Sequence, residues 1–98
     1  MLFAVHFTDK PESSDVRQQY LKAHLLWLDQ HKDRVLVGGS LRNEPEQQAV
    51  GGLWIVEAGS RAEIEDLIES DPFWVHGLRQ SFEIHHWSKA FQDRKVLV

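Results

Sequence analysis

The spacing of apolar and polar positions along the chain predicts its elements before any chemistry is considered. Residues 2–8, LFAVHFT, are rich in aromatic and β-branched side chains and predict a strand. Pro11 and the serines of DKPESS then break the chain and supply helix-start signals. From residue 14 to 32 the period lengthens. Val16, Tyr20, Ala23, Trp27 and Leu28 recur three or four positions apart, while Gln18, Gln19, Lys22, Asp29 and Gln30 fall opposite. Leu25 and Leu26 spill over the edge of that stripe, which suits either a broad core face or a helix that also meets another subunit. Residues 34–42, RVLVGGSLR, predict a second strand, with Gly38 and Gly39 marking a bulge or a close backbone approach. NEPEQQAVGG is a loop, and residues 52–58, GLWIVEA, predict a third strand. Ser60 and Glu63 form an S-x-x-E capping box, and the helix behind it carries Ile64, Leu67 and Ile68 on one face. That helix ends before Pro72, which disfavours helical geometry in the residue ahead of it. Residues 81–87, SFEIHHW, predict a last core strand, and the tail from Lys89 ends in a short β-prone piece suited to a sheet edge or a dimer contact.

The order is β-α-β-β-α-β, with a strand followed by a capped amphipathic helix occurring twice. This is the ferredoxin-like arrangement: an α+β fold with an antiparallel four-stranded sheet and both helices on one face. The other face then lacks cover. A second copy of the same sheet is its natural partner, giving a homodimer. A length of 98 residues suits one domain, with a core over residues 1–88. Four tryptophans and five phenylalanines are many for so small a core and favour a ligand cavity or a subunit interface.

Composition narrows the partners. The net charge is −4 and the basic residues are scattered, which argues against nucleic-acid binding. There is no cysteine, which removes disulfides, thiolate metal sites and cysteine nucleophiles. No apolar run approaches the roughly 18 residues that span a membrane. The start MLFAVHF lacks the basic region of a signal peptide, so the cytoplasm is the expected location. The glycine pairs match no phosphate-binding loop, and Ser40 sits in no nucleophile elbow. His85 and His86 point to opposite faces of a strand, so the pair cannot readily bind one metal ion. Only a site assembled in three dimensions from His6 and His86 stays open, and no metal and no cofactor is expected.

The stretch ESDPFWVHGL, 69–78, raises the sharpest question. Asp71 continues the apolar stripe of the second helix, four residues after Leu67, and acids are rarely buried without a partner. One reading makes it the N-cap of a helical turn that starts at Pro72. The other gives it a partner in His24, which lies on the inward stripe of the first helix between Tyr20 and Leu28. The two roles are compatible. A carboxylate beside the histidine would orient the ring and favour its charged form, making a dyad able to move protons near neutral pH. His76 is the rival partner by closeness in sequence, and His31 suits the end of the first helix.

The strand LFAVHF, the helix YLKAHLLWL with His24, the turn VGGSL, the strand GGLWIVEA and above all ESDPF followed by GL at 77–78 resemble the YCII-related (YciI-like) family over nearly all of residues 1–88. Trp74, His76 and the tail from Lys89 fall outside the pattern. The resemblance implies a dimeric α/β barrel and an active site on the positions matching His24 and Asp71. It implies cofactor-independent proton-transfer chemistry of the lyase or isomerase kind on a small molecule. Trp27, Phe73, Trp74 and Ser40 are the candidate substrate contacts. Two other readings are a non-catalytic ligand-binding or accessory module, which needs a cavity but no titrating pair, and a haem or metal protein, for which the sequence has no specific motif.

Overall fold

The computed structural model describes residues 1–96 and Val98. The elements run β1 (Leu2–Asp9), α1 (Ser14–Gln30), β2 (Val35–Leu41), β3 (Gly51–Glu57), α2 (Arg61–Ser70), α3 (Pro72–Val75) and β4 (Arg79–His86). The strands form one antiparallel sheet in the order β2-β3-β1-β4, so β1 is central and the two helical connections each cross over a neighbouring strand. This is the ferredoxin-like α+β fold expected from the element order.

Side-chain alternation on β1 decides which face receives the helices. Phe3, Val5 and Phe7 point to one side, opposite Val56 and Trp54 of β3 and Ile84 of β4. Trp27 of α1 and Ile64, Leu67 and Ile68 of α2 join this cluster, so both helices cover the same face. Ala4, Leu53 and Ile55 lie on the other face, which no helix among the described residues covers.

Several boundaries and contacts differ from expectation. α1 stops at Gln30, and His31 closes it by donating from its ring Nδ1 to the Trp27 carbonyl at 2.7 Å. Ala23 is exposed, and the inward positions of α1 are instead His24 and Trp27. The bulge of β2 falls at Leu36, between Val35 and Val37, ahead of the glycine pair. Close backbone approach occurs across the sheet at Gly51, where a Cβ would collide with the Phe7 carbonyl oxygen, and a Cβ on Gly52 would lie 3.1 Å from the Arg79 guanidinium. β4 begins at Arg79, earlier than its apolar pattern indicated, because Arg79 pairs with Asp9 past a bulge at Gln80 of β4. No strand forms among the described residues after His86, and the expected edge piece falls partly on Leu97, which lies outside them. Among the described residues, no helix is long and apolar enough to cross a membrane.

Candidate active site

Asp71 sits between two helices. It closes α2 as C-cap and opens α3 as N-cap, with Pro72 at the first helical position. Its Oδ1 accepts from the Phe73 backbone N–H at 3.2 Å. The same oxygen lies 2.6 Å from His24 Nδ1. A single oxygen therefore serves both roles, rather than one oxygen for each. Ser70, one residue earlier, accepts from the Trp27 indole N–H at 3.0 Å, which locks the end of α2 against α1 and sets Asp71 opposite His24. Both members of the pair are buried, with Asp71 1% and His24 6% exposed. The Phe73 ring stacks on His24 at a centroid distance of 4.0 Å and fixes the plane of the imidazole.

The hydrogen bond assigns the ring protons. Oδ1 already accepts from Phe73, so Nδ1 carries the hydrogen and donates. Nε2 has no hydrogen-bond partner among the described residues and is the nitrogen left for a ligand. His24 lines a cavity of about 240 Å³, together with Leu21, Leu25, Gly38, Ser40 and Arg79. Pockets for drug-sized ligands usually run from about 300 to 1,000 Å³, so this one suits a small compound.

The residues named from sequence divide between this cavity and the core. His24, Asp71 and Phe73 are brought together, and Ser40 lines the cavity wall, where its Oγ accepts from Arg42 at 3.0 Å. Trp27 is placed elsewhere, stacked on Trp54 in the core at 5.2 Å. Trp74 packs edge-on against Phe82. Neither tryptophan lines the cavity, and Phe73, also expected as a substrate contact, is buried behind His24 and does not line it either. His76 stacks on Tyr20 at 3.7 Å, so Asp71 faces His24 and not His76. His6 lies on the open face of the sheet and His86 on the helix side against Phe3, which rules out the combined site.

Charged residues overlooked in the sequence complete the site. Asp9, at the end of β1, receives Arg79 Nη1 on Oδ1 at 2.7 Å and Arg17 Nη2 on Oδ2 at 2.5 Å. Arg79 is 5% exposed and spreads over Phe7, with its Cζ 4.4 Å from that ring and 5.2 Å from Phe73. Burial pushes the Arg79 pKa down, and Asp9 pulls it back up. Arg17 and Arg79 both line the cavity beside His24.

The fold and this site can be set against known proteins. The YCII-related domain family matches residues 1–88. The chain belongs to that family. One solved relative is the 5-chloro-2-hydroxyhydroquinone dehydrochlorinase of Burkholderia phenoliruptrix AC1100, in complex with 2,5-dihydroxybenzoquinone. This YCII-related chain is 31% identical to it with a TM-score of 0.84, over 92% of this chain and 96% of that one. A protein from Agrobacterium tumefaciens shares the fold at 13% identity and a TM-score of 0.55, over 92% and 94% of the two chains. No curated protein matches.

Proposed function

We propose that this YCII-related protein is a cofactor-independent enzyme that moves a proton on a small cyclic or aromatic, enolisable compound, with elimination or isomerisation as the outcome. The observation that carries the reading is the buried 2.6 Å contact between His24 Nδ1 and Asp71 Oδ1 at the wall of a small cavity. Nε2 of His24 is the acid–base atom. Asp71 holds the tautomer and balances the positive charge the ring gains when Nε2 takes a proton. Phe73 keeps the ring in plane, and the presence of Ser40 in the cavity lining supports a role for it in ligand contact. The likeness to a dehydrochlorinase supports this reaction class. Both members of the pair, His24 and Asp71, come from one chain.

The test is turnover of chlorinated hydroxyhydroquinones and cyclic enolisable ketones, followed by chloride release and loss of substrate. His24→Gln is expected to lower turnover by about 10²- to 10⁴-fold, the usual contribution of a positioned acid–base group. Wild-type turnover in that variant sinks the reading. A compound that raises the melting temperature but is never consumed marks a binding module instead.

A further inference from the structure

We infer that the cavity beside His24 takes its ligand as an anion, an ionised oxygen of a small planar compound being held by Arg79 and Arg17 and drawn in past Arg42. The inference rests on the proton-transfer reading of the same cavity and names the substrate class within it.

Charge is the first argument. Arg17, Arg42 and Arg79 line this cavity, and the carboxylates in contact with its lining are Asp9 and Asp71. Three guanidiniums against two carboxylates leave one positive charge, and a protonated His24 adds another. The chain as a whole carries −4, so the cavity runs against the charge of its surroundings.

The second argument is an unfinished hydrogen-bond set. A buried ion pair that serves structure alone is neutral and has its donors satisfied. Here one carboxylate, Asp9, is shared by two arginines, and Arg79 Nε is buried with no partner among the described residues. An anion in the cavity would supply the missing negative charge.

Placement is the third. The Phe73 ring is stacked on His24, and both Arg17 and Arg79 have their Cζ 5.2 Å from its centroid. One aromatic side chain thus separates the acid–base ring from both cations. When a C–H bond beside a carbonyl breaks, its proton passes to Nε2 and its electron pair moves onto the oxygen. Cations already beside the bound anion stabilise the further charge as it forms. Arg17, Leu21 and Arg42 also line an outer hollow of about 500 Å³, whose lining holds these two arginines and one acid, Asp15.

The probes are benzoate and benzamide, equal in shape and different by one charge, titrated calorimetrically at low salt. Wild type is expected to bind benzoate at least about tenfold more tightly, since a hydrogen bond to a charged group is worth about 1.5–3 kcal/mol. Arg17→Met is expected to bring the two within about threefold, and Asp9→Asn, which keeps the acceptor and frees a positive charge, to widen the gap. A structural role alone would not move these variants in opposite directions. If Arg17→Met fails to fold, Arg42→Met, just past β2, is expected to narrow the gap likewise. Equal binding of the probes, binding of neither, or shifts in one direction overturns the inference. If benzoate is preferred while His24→Gln keeps wild-type turnover, the acid–base role of His24 falls and the anion site stands. If the preference is absent while His24→Gln is inactive, the reverse holds.

Discussion

Asp71 offers one oxygen to two donors, and this makes its variants unequal. Asparagine at this position can turn its carbonyl oxygen to both His24 Nδ1–H and the Phe73 N–H. Asp71→Asn therefore keeps the helix cap and the tautomer and removes only the charge, whereas Asp71→Ala removes all three. Asp71→Asn is expected to stay folded and to lose turnover by at least about tenfold, through the unbalanced imidazolium alone. Asp71→Ala is expected to lose a further cap worth about 1 kcal/mol. Urea unfolding and ¹⁵N shifts of the His24 ring check this, and a Nδ1–H tautomer lost already in the asparagine variant contradicts it. His24 and Asp71 were legible because each stands on the inward stripe of a helix, where a polar residue is out of place. Asp9 and Arg79 were not. A charge at a strand end reads as the edge of the element, and only the bulge at Gln80 of β4 reveals that the two sit opposite each other inside the protein.

At the scale of the element, the start of α2 carries a charge as well as a cap. Ser60 Oγ accepts from the Glu63 N–H at 3.3 Å. The returning arm of the box lands one residue early: the Glu63 carboxylate accepts from the Gly59 N–H at 2.9 Å, and Arg34 donates to it at 3.0 Å. The Gly59 N–H and the Arg34 guanidinium hold the Glu63 carboxyl below its ordinary value of about 4.5. A depressed carboxylate contributes stability above that pH, and the contribution is lost as pH falls through the lower, folded-state value. Glu63→Gln is expected to flatten the acid limb of a stability profile below about pH 4.5, because glutamine keeps an acceptor and has no charge to lose. Unfolding midpoints in urea from pH 3 to 6 measure it, and parallel acid limbs in the two proteins refute it. Capping boxes and helix stripes are local, so α2 was readable to within a residue. The β2 bulge and the start of β4 are set by partners across the sheet, and no window of sequence holds that information.

Among the described residues, one side of the sheet has no helical layer. Ala4, Leu53 and Ile55 occupy that face, and Val37 on β2 lies beside them with 45% of its surface exposed. The element order foretold this bare face, since a βαββαβ chain has only two long helices and places both on the other side. What covers it is a matter of assembly, which the pattern of one chain does not encode. We propose a second copy, sheet against sheet, because the face presents apolar side chains in the two-residue alternation of a buried sheet and a symmetric pair covers both copies at once. Val37 separates the alternatives. In an isolated chain an exposed valine changed to aspartate alters stability by no more than about 0.5 kcal/mol. In a sheet-to-sheet dimer the same change buries two unpaired carboxylates near the symmetry axis or its rim, each costing far more. Val37→Asp is therefore expected to elute as a monomer with wild-type helical content, while wild type runs as a dimer by light scattering. A wild-type monomer, or a Val37→Asp dimer of undiminished affinity, removes this face as the interface. Turnover adds a second readout. His24, Asp71, Arg17 and Arg79 lie on the helix side of the sheet and belong to one chain. Monomeric Val37→Asp that keeps its cavity is thus expected to retain catalysis per chain, and a loss of turnover with dimer dissociation would show that the partner completes the site.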